Sequence, residues 1–216
     1  MNPYRVLLVE DRMINRLYLE RVIRDSGRYM LIGTEVNMEE AVKHCRHASV
    51  DLILMAAADK EGNTNFAAAA ESKMHDSSVR IVVMTASAEH SYPKRAQACG
   101  ADSFWYMESA KESVLAIMDR TMEGGTVWPE HLPSVKIGKM ESRDLSEKEH
   151  LILREMAMGY SNKEIAENLG MSYYTVRDHV KAMLEKTALL SRMALAVAAV
   201  GSGRIVLDKK ELGVAK

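Results

Sequence analysis

The sequence predicts two domains of different class: a doubly wound, five-stranded parallel α/β domain, then an all-α domain of four helices. Five short β-branched runs, at 4–9, 30–35, 50–55, 79–84 and 102–106, alternate with amphipathic stretches over about the first 120 residues, the pattern of βα units whose helices cover both faces of a sheet. The pair Gly124 and Gly125, with Pro129 and Pro133 close behind, then breaks the chain, because two glycines cannot continue a helix and each proline restricts its neighbour. From Leu145 onward apolar residues recur at helical spacing. At 216 residues the chain is long enough for two such domains.

Taken in order, residues 1–122 form the first domain. Ser109-Ala-Lys-Glu112 reads as a capping box, so the fifth helix is expected to begin there and run to about Met122. Residues 123–143 are read as a linker, and the polar stretch 134–144, with Lys136, Lys139 and Arg143, as solvated chain. The second domain spans 144–208. Ser146-Glu-Lys-Glu149 and Ser161-Asn-Lys-Glu164 are capping boxes that open two helices, ending at Gly159 and Gly170. Ser172 caps a third helix reaching about Thr187, and a fourth runs from Ser191 to about Val200. Two helices joined by the tight Gly-Met-Ser turn make a helix-turn-helix. Residues 209–216, with Lys209, Lys210 and Lys216, read as a loose tail.

Composition excludes several classes. With 47% hydrophobic and 27% charged residues the chain can bury a core, and it has no apolar run of membrane-spanning length and no signal-peptide start, so a cytoplasmic protein without membrane association is expected. Cys45 and Cys99 are too few for a disulfide framework and lie in no metal-binding spacing. His44 and His47 share a helix face, but no further ligand is visible, and a surface helix is the simpler reading. The net charge of −1 gives no global pull toward nucleic acid, so any such binding must come from a local patch. No GxGxxG or P-loop appears, which leaves a nucleotide enzyme without support. No enzymatic activity is expected.

The stretch from Leu145-Ser-Glu-Lys-Glu149 through Gly159-Tyr-Ser-Asn-Lys-Glu-Ile-Ala-Glu-Asn-Leu169 to Ser172-Tyr-Tyr-Thr-Val-Arg-Asp-His-Val180 and Lys186 closely resembles the LuxR-type DNA-binding domain. The physical reading agrees. Val176, Val180, Met183 and Leu184 form an apolar stripe, while Arg177, Lys181 and Lys186 point elsewhere and are the expected DNA contacts of this helix. Arg177 and Lys181 are four apart and share one face, and a guanidinium there can take guanine O6 and N7 in the major groove. Asp178 repels phosphate but can accept from a cytosine amino group. Ser161, Asn162 and Lys163 open a helix whose free N–H groups suit a backbone phosphate. Thr175 and His179 are similar to family positions that touch the DNA backbone. The resemblance also implies pairing through the fourth helix, where Met193, Ala194 and Val197 would be the contact; ordinary core packing is the alternative reading of these three.

Val6-Leu-Leu-Val-Glu-Asp11, the βα order, Thr85, and Gly100-Ala-Asp-Ser-Phe104 look like a response-regulator receiver, a flavodoxin-like sheet, over residues 3–122. The resemblance places the whole chain near the NarL/FixJ family. It implies an acidic pair at Glu10 and Asp11 for Mg²⁺, a switch hydroxyl at Thr85 and an aromatic position at Phe104. Phosphoryl transfer needs positioned cations and donors because the group carries so much charge. Yet Ala56 falls where the acceptor aspartate belongs, and Met107 where the lysine belongs. Asp59, three residues on, is misplaced for the role. Glu10 and Asp11 alone can hold a hydrated Mg²⁺ only loosely, and no other cofactor is expected.

These readings combine into a sequence-specific, DNA-binding transcription regulator that binds double-stranded DNA as a homodimer without aspartyl phosphorylation, with a regulatory protein or small ligand acting at the receiver-like domain. Two alternatives remain open at this point: phospho-control through Asp59, and a partner-sequestering module with secondary DNA binding.

Overall fold

The computed structural model describes residues 2–107 and 112–208, which divide into two compact units, one of residues 2–86 and 91–130 and one of residues 87–90 and 131–208. In the first unit the strands are β1 (Tyr4–Val9), β2 (Tyr29–Glu35), β3 (Leu52–Ala56), β4 (Arg80–Thr85) and β5 (Ser103–Tyr106). They form one sheet in the order β2-β1-β3-β4-β5, every pair parallel. Between and after them run α1 (Met13–Asp25), α2 (Met38–Cys45), α3 (Phe66–His75), α4 (Tyr92–Ala98) and α5 (Val114–Met122). Val6, Leu7, Leu8 and Val9 are all fully buried. A parallel strand covered on both faces must be apolar at every position, which is why β1 reads as an unbroken hydrophobic run instead of an alternating one.

Polar clasps tie the strand starts. The Asp51 carboxylate accepts from the Arg5 backbone N–H at 2.7 Å and from its guanidinium at 2.7 and 3.0 Å. Asp102 accepts from Lys73 Nζ at 2.8 Å, from Arg80 Nη1 at 2.7 Å and from the Ile81 N–H at 2.8 Å. Burial pushes the Asp102 carboxyl up, but these three donors outweigh it and hold it below the usual carboxylate range.

The fifth helix departs from expectation. Ser109, Ala110 and Lys111 of the expected capping box lie outside the described residues. The helix begins at Val114, where Ser113 is the N-cap and accepts from the Ala116 N–H. Glu112 is used otherwise: its carbonyl accepts from Trp105 Nε1 and its carboxylate from Arg120.

The second unit also corrects an expectation. Residues 134–144 are not solvated linker: Lys136–Ile137 (β6) and Met140–Glu141 (β7) pair as a small antiparallel hairpin, and Ser142–Asp144 form a 3₁₀ turn. Ile137 and Met140 are buried in the helical core. The Gly138 turn makes this possible, with φ of +61° and so little room that a Cβ there would stand 2.3 Å from the Thr187 carbonyl oxygen. The surrounding lysines are polar, but two apolar residues decide where the segment goes. Helices α6 (Glu147–Ala157), α7 (Asn162–Leu169), α8 (Tyr173–Thr187) and α9 (Arg192–Gly201) follow. Both capping boxes form, Ser146 with Glu149 and Ser161 with Glu164, and Gly170 closes α7 in the left-handed conformation. Lys209, Lys210 and Lys216 lie outside the described residues.

Candidate nucleic-acid interface and receiver pocket

Helix α8 sorts its side chains as a recognition helix must. Val176, Val180, Met183 and Thr187 are buried, Leu184 packs at the core edge, and Tyr173, Tyr174, Thr175, Arg177, Asp178 and Lys181 face solvent. At the helix start the Ser172 hydroxyl accepts from the Thr175 N–H at 3.0 Å and lies 2.8 Å from the Thr175 hydroxyl, so Thr175 helps to cap the helix. Arg177 is oriented from two sides: its Nε and Nη2 donate to Asp178 Oδ1 at 3.0 and 2.8 Å, and its guanidinium carbon lies 5.2 Å from the centre of the Tyr174 ring. Lys181 pairs with Glu185 one turn on, at 3.8 Å. These are exposed pairs, worth at most about 1 kcal/mol each, so a nucleic acid can compete for both cations. Asp178, expected as a base acceptor, here holds Arg177. His179 is half-buried at the edge of this face.

Lys186 does not join it. Its Nζ donates to Glu149 Oε1 at 2.7 Å, because the last turn of α8 lies against the first turn of α6, where the Glu149 side chain is almost wholly buried. The expectation that Lys186 meets DNA is replaced by a structural role. Burial pushes the Glu149 carboxyl up, but Lys186 and the Ser146 N–H hold it below its ordinary range. At the start of α7, Ser161 is committed to its capping box, and its N–H holds the Glu164 carboxyl low. Asn162 Oδ1 accepts from Arg192 Nη1 at 3.2 Å, and Arg192 Nη2 also donates to the Tyr160 carbonyl. Lys163 alone of the expected trio is exposed without being tied to the cap. Sequence reasoning missed Arg192, which locks α9 to the start of α7, and the Tyr173–Tyr174 pair, whose rings meet edge-on at 5.7 Å. An adjacent aromatic pair opening a recognition helix was the signal. On α9, Met193 and Val197 are 69% and 63% exposed, one turn apart, and Ala194 is half-buried beside them.

In the first unit the expected pocket residues gather at the C-terminal edge of the sheet. Glu10 follows β1, Ala56 ends β3, Thr85 ends β4, and Met107 follows β5. Ala56 offers only a methyl group. Met107, a thioether, packs against the core and donates its backbone N–H to the Thr85 carbonyl at 2.9 Å. The Asp59 carboxylate is turned into its own loop, where it accepts from the N–H groups of Glu61 and Asn63 at 2.9 Å each and from Asn63 Nδ2 at 2.8 Å. Phe104 is buried between Tyr106, at 5.0 Å, and Trp128, stacked at 6.5 Å. Asn65, which the sequence did not single out, bridges β3 to α2: its Nδ2 donates to the Ala56 carbonyl and its Oδ1 accepts from the Met38 N–H, both at 2.9 Å.

The acidic pair is already engaged. Glu10, 1% exposed, accepts from the Arg12 N–H at 2.8 Å and from Asn15 Nδ2 at 3.1 Å. Both Asp11 oxygens accept from the Lys60 N–H, at 3.1 and 3.0 Å. Arg12 Nη1 donates to the Ala58 carbonyl and Nη2 to the Asp59 carbonyl, each at 3.0 Å. These residues do not fit a divalent ion: two carboxylates committed to protein donors, with a guanidinium on the neighbouring carbonyls, leave no open oxygen shell. His44 Nδ1 likewise lies 2.9 Å from Glu35 Oε1 and has a protein partner.

Comparison with known proteins places these features. Residues 143–199 match the model of bacterial regulatory proteins of the luxR family. The transcriptional regulatory protein YdfI of Bacillus subtilis (strain 168) is 25% identical over 94% of this chain and 99% of its own length, and the nitrate/nitrite response regulator NarL of Escherichia coli (strain K12) is 28% identical over 90% and 94%. Along nearly its whole length the chain is similar to response regulators of the NarL/FixJ type. Its fold is that of RcsB as seen in a structure of two RcsB dimers bound to two parallel DNAs, with a TM-score of 0.62 at 17% identity over 92% of this chain and 98% of that one. The regulator therefore carries a receiver-type sheet and a LuxR-type DNA-binding domain. Among the described residues, no helix is long and apolar enough to cross a membrane.

Proposed function

We propose that this regulator binds specific double-stranded DNA as a homodimer and does so without aspartyl phosphorylation. The observation that carries the proposal is the methyl group of Ala56 at the end of β3, with Met107 in place of a cation after β5 and the Asp59 carboxylate held by three donors of its own loop. A phosphoryl group arriving there would find no acceptor at Ala56 and no cation at Met107. The exposed face of α8, with Arg177 set between Tyr174 and Asp178, supports base reading. The exposed apolar stripe of α9 supports pairing, and a second one on α1, where Met13, Ile14, Leu17 and Tyr18 all face solvent, supports pairing at the receiver as well. With no phosphoryl switch, control would come from a protein or small ligand at the receiver, or from pairing itself.

The test is selection of genomic DNA fragments by the purified full-length protein, with and without acetyl phosphate and Mg²⁺, with intact mass measured in parallel. Sequence-selective binding without an adduct is expected. A phosphoryl adduct that raises affinity would overturn the phosphate-independent part, and binding without sequence preference would overturn the DNA-reading part.

A further inference from the structure

We propose that Arg12 is a built-in cation of the receiver pocket, seated permanently on the oxygen atoms that a divalent ion would need, so that this domain neither takes up nor responds to Mg²⁺. The inference deepens the phosphate-independent reading, and its test reads the cation response and not DNA affinity, so either can fail alone.

Three groups of oxygen converge on the Arg12 side chain. Two are the Ala58 and Asp59 carbonyls, consecutive in the loop after β3, each taking one arm of the guanidinium at 3.0 Å. The third is the Glu10 carboxylate, whose Oε1 lies 3.8 Å from Nη1 and accepts the backbone N–H of the same arginine at 2.8 Å. A planar fork of N–H donors matches two adjacent carbonyls in a way that a lysine ammonium would not. The guanidinium is charged at every accessible pH and weakly hydrated, so seating it beside a buried carboxylate costs less desolvation than seating a small, strongly hydrated ion. Mg²⁺ requires near-octahedral oxygens at about 2.1 Å and keeps several waters. Arg12 already occupies the Ala58 and Asp59 carbonyls, and the remaining carboxylate, Asp11, has both oxygens on the Lys60 N–H.

The arrangement follows from position. Arg12 stands directly after the acidic pair, as the residue preceding α1, with extended backbone at φ −78° and ψ 111°. That conformation carries its side chain back across the sheet edge to the β3 loop instead of along the helix. The loops after β1 and β3 are thereby clasped by one side chain and by the Asp11–Lys60 bond. In consequence a cation of the chain itself stands at the pocket, and the loops after β1 and β3 are tied to each other.

The experiment is Mn²⁺ binding by electron paramagnetic resonance, with the thermal midpoint measured in parallel in EDTA and in about 10 mM MgCl₂, for the full-length protein and for Arg12→Ala and Arg12→Gln. The unsubstituted protein should show no saturable Mn²⁺ site and the same midpoint in both media. Arg12→Ala should lose midpoint in EDTA, gain a saturable site at least about tenfold tighter than any in the parent, and recover part of its midpoint in Mg²⁺. Arg12→Gln keeps a donor to the carbonyls without the charge, and should gain the site even if the alanine variant folds poorly. Saturable Mn²⁺ binding by the parent would overturn the proposal. So would the absence of any gained site in a folded Arg12→Gln protein. DNA selection unchanged in either variant would leave the DNA-reading proposal standing whatever the cation result.

Discussion

Lys186 Nζ donates to Glu149 Oε1 at 2.7 Å and ties the last turn of α8 to the first turn of α6. Glu149 at the same time closes the capping box with Ser146, so one nearly buried carboxylate serves two helices. Lys186→Met should therefore destabilise the C-terminal unit by about 1–2 kcal/mol in urea unfolding, since the pair is half-exposed on the lysine side. It should leave the salt dependence of DNA binding unchanged, where loss of a phosphate contact would reduce the slope by about 1.

The same pair sets a pH response. Because the folded protein holds the Glu149 carboxyl below its ordinary value, the unfolded chain binds the proton first, and the stabilisation is complete above about pH 4.5 and lost as pH falls below it. Urea midpoints measured between about pH 6 and pH 3 should fall through this window in the parent, and less steeply in Lys186→Met.

Arg177→Ala should weaken specific binding and relax preference at one base position by about 1–3 kcal/mol. Asp178→Ala should do the opposite to overall affinity, because it removes a charge that repels phosphate and frees the guanidinium, while stability changes by less than about 0.5 kcal/mol. Fluorescence anisotropy on a selected site and on scrambled DNA, at several salt concentrations, separates the two effects.

Met193→Glu and Val197→Glu place a charge in the exposed apolar stripe of α9. Both should fold normally, since neither residue contributes to the core, and both should shift sedimentation toward the monomer and weaken binding to a two-half-site operator more than to a single half-site. Unchanged sedimentation would remove α9 from the pairing surface.

Gly138→Ala is expected to cost more than about 1 kcal/mol, since the turn needs a positive φ and the new Cβ meets the Thr187 carbonyl oxygen at 2.3 Å. Thermal unfolding should show the loss in the C-terminal unit, with Gly124→Ala, which meets no neighbour, giving only the strain of its own φ.

What the sequence by itself determined is what local chemistry encodes. The unbroken apolar run of β1 announces a doubly covered parallel strand, the boxes at Ser146 and Ser161 mark two helix starts to the residue, and Gly170 and Ser172 define the turn between α7 and α8, because each of these signals involves neighbours within four positions. The alanine at position 56, where the receiver resemblance implies an acceptor aspartate, is likewise found by counting along one strand. Tertiary structure decided what depends on partners far apart in the chain. Ser109 carries a sound local capping pattern, yet α5 begins after Ser113. Residues 134–144 are polar by composition, yet Ile137 and Met140 draw them into the helical core. Lys186 lies on the outer side of a recognition helix by periodicity, yet Glu149, 37 residues away, takes it. Arg12 carries no local signal in the sequence, yet its fork reaches carbonyls 46 and 47 residues on. A long cation has no preferred direction of its own, so its role is settled only when folding brings an oxygen within its reach.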